Sequence, residues 1–300
     1  MELQKKLKKL KIGKITKNVE LKKHTTYKAG GVADFMVFPK DVEKLKKLLT
    51  YIKKHNIKHK IIGNGSNLLF SDLNYKGILI NLSELNSLEI KDTIIKVGAG
   101  HKLTTLALKL SKLGLTGMEF ATGIPGTIGG AVYMNAGAYK SDMGYIVSEI
   151  KVLTEDLEVK TIYNKDLDFH YRTSFLQKKP ENICLEATII LKHGDKNIIM
   201  DIIEERRKKR LMTQPLEFPS AGSVFRNPEN DFAGRLIEDC NLKGKKIGGA
   251  MVSEKHANFI INYNNATGQD IYDLINLVKT EVEKKHKINL RVEQEFVNWE

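Results

Sequence analysis

Two stretches combine dense glycine with almost no charge: GNGSN, from Gly63 to Asn67, and GIPGTIGGAVYMNAGAY, from Gly123 to Tyr139. Glycine loses more conformational freedom on folding than any other residue, so such a run implies that something approaches the main chain closely. Exposed N–H groups, unhindered backbone and the small hydroxyls of Ser66 and Thr127 suit a phosphate. Neither stretch is G-x-G-x-x-G between a strand and a helix, and neither is G-x-x-x-x-G-K-[ST]. A Rossmann dinucleotide site and a P-loop are therefore unsupported. GNGSN alone reads equally well as a tight turn. One turn does not require Gly123, Gly126, Gly129, Gly130 and Gly137 together. Ser223, in AGSVF, lacks the G-x-S-x-G frame of a hydrolase nucleophile. Cys184 and Cys240 have no metal-ligand spacing, so no metal site is expected and a reducing compartment is the default.

The elements that must position these residues follow from periodicity. DVEKLKKLLTYIKKHN opens on Asp41, a good N-cap, and puts Val42, Leu45, Leu48, Leu49 and Ile52 on one helical face. KIIGNGSNLLFSD is a short strand breaking into a glycine turn, and GILINL and TIIKVGAG are further short strands. KLTTLALKLSKLG is a helix with Leu103, Leu106, Ala107, Leu110 and Leu113 on one face, stopped at Gly114. IVSEIKVLTEDLEVKTI reads as a hairpin and ICLEATIILK as a strand. DKNIIMDIIEERRKKRLMTQP is a charged helix ending before Pro215. QDIYDLINLVKTEVEKKHK is a helix with Ile271, Leu274, Ile275, Val278 and Val282 on one face, started by Thr267 and Asp270. INLRVEQEFVNW is expected to be a strand. The change of character after Lys192 predicts a domain boundary near residue 195.

The 300 residues, 41% of them hydrophobic, are enough for a real core and suggest two domains. No apolar run approaches a membrane span. The basic N-terminus lacks the h-region of a signal peptide. The net charge of +13 is spread along a chain with few aromatics and no nucleic-acid-binding motif. It predicts a lysine-rich solvated surface, with positive potential left for anionic small molecules, and no nucleic-acid partner. A basic binding protein for a polyanion is the competing class.

GNGSNLLFSD followed by GMEFATGIPGTIGGAVYMNAGAY resembles the FAD-binding signature of the UDP-N-acetylenolpyruvoylglucosamine reductases, also called UDP-N-acetylmuramate dehydrogenases. TTYKAGGVADFMVFP, YRTSFL, PSAGSVFRNP and AGRLIEDCNLKGKKIGGAMVSEKHANFIIN resemble further segments of that family. With them the resemblance covers most of residues 24 to 297. It implies an α+β fold: a two-subdomain FAD-binding module of the vanillyl-alcohol-oxidase type plus a separate α+β substrate-binding domain. The FAD-binding domain is expected at 20–194, in subdomains of about 20–83 and 84–194. The substrate domain is expected at 195–288, and a C-terminal strand carrying a glutamate at 289–300. The implied reaction uses NADPH and FAD to reduce UDP-N-acetylglucosamine enolpyruvate to UDP-N-acetylmuramate, for peptidoglycan. The alternative is another FAD-linked oxidoreductase of the same fold. A monomer in a bacterial cytoplasm is expected.

The resemblance also implies roles. Gly63, Asn64, Gly65, Ser66, Asn67, Gly123, Pro125, Gly126, Thr127, Gly129, Gly130, Asn135 and Gly137 would hold FAD. No His or Cys lies in these clusters, so the flavin is expected to be non-covalent. Arg172 of YRTS and a C-terminal glutamate would face charge developing on the substrate carboxylate, and Ser223 would donate the proton to C2. Counting from Leu290 selects Glu293, with Glu295 as runner-up. Alternation along a strand would put both on one face. Tyr139, Arg226, Asn227, Ser253, His256 and Asn258 would line the substrate site. Only a few residues separate RNP from AGRLIE, so the sequence resembles the shorter type of the family, without an inserted tyrosine loop.

Overall fold

The apolar spacing of residues 42 to 52 forms a helix at Val42–Lys54. The computed structural model, which describes residues 2–299, caps it as expected: the Asp41 carboxylate accepts from the Lys44 N–H at 2.8 Å. Leu45, Leu48 and Ile52 pack with Phe35, Val37, Ile78 and Ile80 in one apolar core. Phe35 and Val37 come from the strand Val32–Pro39, Ile78 and Ile80 from Tyr75–Asn81. The latter pairs in parallel with His59–Ile62, which leads directly into the first glycine turn.

A second core lies under a five-stranded sheet in the order Val159–Tyr163, Val147–Leu153, Ile183–Ile190, Ile94–Gly98, Leu88–Lys91. The expected hairpin is its edge, paired antiparallel from Glu149–Tyr163 to Leu153–Val159. The helix Leu103–Lys112 buries Leu103, Leu106, Ala107 and Leu110; Leu113, expected on the same face, is exposed because the helix ends before it, and Gly114 follows at φ +75. The short helix Ile128–Tyr133, inside the second glycine stretch, buries Ile128 and Val132 in the same core. A helix at Glu2–Lys9 stands where composition suggested only a basic tail; Leu3, Leu7 and Leu10 recur at helical spacing, and Leu7 is fully buried.

By contacts the chain forms two units: residues 1–17, 35–64 and 77–207, and residues 18–34, 65–76 and 208–300. Segments 18–34 and 65–76 thus pack with the C-terminal part of the chain. Tyr27, Ala29 and Leu69 are buried there with Val224, Leu236, Ile271 and Leu274. Composition along the chain carries no trace of such a pairing.

In the second unit, the helix Gly268–His286 buries the five residues expected on one face. Thr267 and Asp270 form a reciprocal capping box. Asp72 adds two acceptors, taking the N–H groups of Gly268 at 2.8 Å and Gln269 at 2.9 Å. The expected C-terminal strand is shorter than its sequence suggested. Only Glu295–Val297 is a strand, paired in parallel with Leu68–Phe70, and the chain bends at Gln294. Trp299 pins the end, stacked on Tyr272 at 4.3 Å with its indole N–H donating to the Leu69 carbonyl.

Candidate active site

The first unit holds most of the glycine-rich backbone. A Cβ on Gly63 would lie 2.6 Å from Thr127 Oγ1, and one on Gly129 would lie 3.0 Å from the Ala99 Cβ. A side chain at Gly63 would force Thr127 to shift, and one at Gly129 would press tightly on Ala99. Gly130 differs: it is exposed, and a Cβ there would meet only Thr127 Oγ1, at 3.5 Å. Thr127 caps the short helix, accepting from the Gly130 N–H. The neighbouring loop is fixed by Leu103 N–H to Gly126 O at 3.0 Å, Pro125 is exposed, and Gly123 ends a 3-10 turn begun at Glu119. Glu119 had no role in the sequence reading. It is buried, accepting from the Thr116 hydroxyl at 2.6 Å and the Gly117 N–H at 2.9 Å, and so anchors the start of the loop. Its signal was being the lone acid in an uncharged run.

Arg172 sits at the tip of a two-residue turn closed by His170 N–H to Thr173 O and Thr173 N–H to His170 O. Its φ is +56, a left-handed conformation that costs a non-glycine residue about 1–2 kcal/mol. The surroundings hold it there. Arg172 Nη2 donates to Gly137 O at 2.9 Å, and Gln177 Nε2 donates to both Arg172 O and Tyr133 O. Asn135 is also left-handed and buried; its amide donates to His170 O and accepts from Gly144 N–H, so it braces this turn. Gly137 begins a hairpin whose two turn residues, Tyr139 and Lys140, have φ of +55 and +60. Such primed turns normally take Asn-Gly. The Tyr139 hydroxyl donates to Arg206 O, and the Arg206 guanidinium lies 4.6 Å from the ring centre. Arg172, Tyr139 and Arg206 are thereby gathered around one hairpin. Arg206 was hidden in a charged helix, where nothing in the sequence marks it.

The second unit receives the rest of GNGSN. Gly65 has φ +64, and a Cβ there would collide with the His24 carbonyl. Asn67 Nδ2 donates to Glu293 O at 3.1 Å, and Asn67 O accepts from Glu295 N–H at 2.9 Å; Ser66 lies between them, half-buried. Ser223 lies in an extended segment held on both edges. On one side Ser223 bridges Phe259, and Val224 N–H donates to Asn258 O. On the other, Phe225 bridges Val292, Glu293 N–H donates to Val224 O at 2.8 Å, and Arg226 N–H donates to Arg291 O at 2.9 Å.

Several residues expected to meet substrate brace this scaffold. The buried Asn258 amide donates to Phe225 O at 2.8 Å and accepts from Phe225 N–H at 3.0 Å. Ser253 accepts from the N–H groups of Lys255 and His256. Asn227 accepts from Ala233 N–H, at the start of the helix Ala233–Asp239. His256 packs on Phe259, and its Nδ1 accepts from Asn258 N–H, so the neutral ring carries its proton on Nε2. Burial lowers its pKa.

The two glutamates are not equivalent. Glu293 is bonded through its N–H to Val224, next to Ser223, and through its carbonyl to the Asn67 amide, whereas Glu295 is bonded through its N–H to Asn67 O. The bend at Gln294 separates them, so the expected alternation on a common strand face does not extend from one to the other. Among the described residues, no cluster of His, Cys, Asp or Glu could hold a metal, and no helix is long and apolar enough to cross a membrane.

Residues 33–163 match the family described as FAD binding domain, and residues 214–297 the family described as UDP-N-acetylenolpyruvoylglucosamine reductase, C-terminal domain. The chain is 45% identical over 297 residues to the UDP-N-acetylenolpyruvoylglucosamine reductase of Anoxybacillus flavithermus, covering 99% of this chain and 98% of that one. It is 45% identical over 292 residues to the enzyme of the same name from Bacillus subtilis, covering 97% and 96%. The crystal structure of UDP-N-acetylenolpyruvylglucosamine reductase from Thermus caldophilus superposes with a TM-score of 0.81 at 32% identity, over 94% of this chain and 98% of that chain.

Proposed function

The chain belongs to the UDP-N-acetylenolpyruvoylglucosamine reductase family, and from that premise we propose that it reduces UDP-N-acetylglucosamine enolpyruvate to UDP-N-acetylmuramate, with FAD as cofactor and NADPH as reductant, for peptidoglycan synthesis. The observation that carries this is the relationship over nearly the whole chain, which includes both the glycine loops and the Ser223 segment. The residues present fit FAD. The backbone at Gly130 is exposed, and a Cβ there would meet only Thr127 Oγ1, at 3.5 Å, which suits a cofactor lying against the main chain.

Gly63, Asn64, Gly65, Ser66, Asn67, Gly123, Pro125, Gly126, Thr127, Gly129 and Gly130 would hold it, mainly by offering bare backbone for close approach; the Gly129 N–H is itself taken by Ala99 O and the Gly130 N–H by Thr127 Oγ1. When bound, FAD supplies the hydride for the enolpyruvyl group. The protein must do two other things. It must stabilise negative charge developing on the substrate carboxylate, more in the transition state than in the ground state. Arg172 offers a rigid fork of donors for a planar carboxylate. It must also deliver a proton to C2, which we assign to the Ser223 hydroxyl, with Glu293 as the neighbouring acid group. Tyr139, Arg226, Asn227 and His256 complete the substrate contacts, and Asn135, Ser253 and Asn258 hold the segments in place. The protein works as a monomer in the bacterial cytoplasm.

NADPH oxidation should depend on UDP-N-acetylglucosamine enolpyruvate as acceptor. Ser223→Ala should leave flavin bleaching by NADPH nearly intact, while reoxidation by acceptor slows by ~10²–10⁴-fold, the usual worth of general acid catalysis. Stopped-flow absorbance follows the two steps separately. Acceptor-independent oxidation alone would refute the assigned substrate, and an unslowed second step would remove Ser223 from the reaction.

A further inference from the structure

The bend at Gln294 is where the C-terminal segment changes partner. One residue earlier, Glu293 N–H donates to Val224 O; one residue later, Glu295 N–H donates to Asn67 O. The Gln294 side chain is buried and spans three groups. Its Oε1 accepts from the Tyr27 hydroxyl at 2.9 Å, and its Nε2 donates to Ala221 O at 3.3 Å and Ser223 O at 3.4 Å. Tyr27 is fully buried, and burial raises its pKa, so the phenol stays protonated and needs an acceptor. Two carbonyls need a donor. Those demands fix which way round the amide lies.

The two carbonyls flank Gly222, which is left-handed at φ +74 and would have open space around a Cβ. The residue directly before Ser223 is therefore the most conformationally free type, with no side chain to pack. The Gln294 amide ties down both of its neighbours. A buried polar side chain that bonded nothing would cost stability, but an apolar residue could fill the volume at less risk. The amide is thus well placed to set geometry.

We propose that Gln294 is a positioning residue for proton delivery: held by Tyr27, it locks the Ala221–Ser223 main chain and so fixes Ser223 against Glu293. This rests on the assignment of Ser223 as proton donor.

The test uses Gln294→Met, which keeps the volume and removes the amide, and Tyr27→Phe, which removes only the hydroxyl orienting it. In both, flavin bleaching by NADPH should stay within about twofold of the parent, and reoxidation by UDP-N-acetylglucosamine enolpyruvate should slow by about 10–100-fold through kcat, with KM little changed, as expected for a misplaced reacting group. The solvent deuterium effect on reoxidation should rise. In a Ser223→Ala background, Gln294→Met should add less than about a further twofold, because the two act through one group. Parental reoxidation in the folded variants, or full additivity with Ser223→Ala, would overturn the proposal. If Gln294→Met does not fold, the rate of Tyr27→Phe decides. Reoxidation untouched by Ser223→Ala itself would remove the premise and the proposal with it. Slowing by Ser223→Ala without slowing by either Gln294→Met or Tyr27→Phe would overturn the proposal alone.

Discussion

Arg172 concentrates the link between backbone and chemistry. A left-handed arginine is maintained by bonds from Gln177 to its carbonyl and from its own guanidinium to Gly137 O. Strain of this kind persists where the surroundings over-determine it, often at functional sites. Arg172→Gly would relieve about 1–2 kcal/mol of left-handed strain and lose the guanidinium's interactions, among them the bond to Gly137 O and the contact with the Tyr171 ring, so its unfolding free energy should stay within about 2 kcal/mol of the parent. Reduction of the enolpyruvyl group should nevertheless fall ~100–1000-fold, the usual cost of one electrostatic donor. Chemical denaturation and turnover measured on one preparation would separate the two; parental turnover would return Arg172 to a surface role. His256 gives a pH signature. Burial lowers its folded pKa, so the fold favours the neutral ring and the unfolded chain binds the extra proton. Stability should therefore decline as pH falls through the unfolded value of about 6.5 and level off below the folded pKa. Thermal melts between about pH 5 and 8 should lose this slope in His256→Gln. An unchanged slope would place the effect elsewhere.

At the scale of elements, the glycine loop contains two kinds of glycine, and substitution should distinguish them. A Cβ at Gly63 would press on Thr127 Oγ1, whereas at Gly130 it has room and lies within a helix. Gly130→Ala should leave the flavin-free protein as stable as the parent or up to about 1 kcal/mol more stable, from helix propensity. Its FAD affinity should fall if, as proposed, the cofactor lies against this backbone, because the added methyl would stand between them. Gly63→Ala should destabilise the flavin-free protein as well. Flavin titration and melting of both variants check this; undiminished FAD affinity in Gly130→Ala would mean the cofactor lies elsewhere. The four long helices were legible because each carries its own signal, whereas the short ones at Glu2–Lys9, Ile128–Tyr133 and Ala233–Asp239 were not read. Asp41 and the Thr267–Asp270 box formed the caps their types announce, and the apolar stripes were buried as spaced. The C-terminal strand was over-read because INLRVEQEFVNW offers strand-forming residues throughout, while pairing exists only where Leu68–Phe70 runs alongside.

For the molecule as a whole, FAD should bind without a covalent link and stabilise the fold by mass action, by about 2.7 kcal/mol at a hundredfold excess over Kd. Heat or acid should release all flavin into the supernatant, and melting temperature should rise with added FAD; flavin retained on the precipitated chain would contradict this. The sequence alone determined the α+β character, the four long helices, the hairpin and the family, because propensity, caps, periodicity and ordered motifs are local. It also marked the glycines by type and spacing, and Ser223 through the family resemblance. Tertiary structure alone decided that Asn135 and Asn258 brace backbone, that Arg206 joins Tyr139, and that Glu293 rather than Glu295 is bonded beside Ser223. It also decided that Tyr27 meets Gln294 across 267 residues. The physical reason is the same in each case. A hydrogen-bonding side chain has the same capacity anywhere in the chain, and which group satisfies it depends on the segments that packing brings alongside.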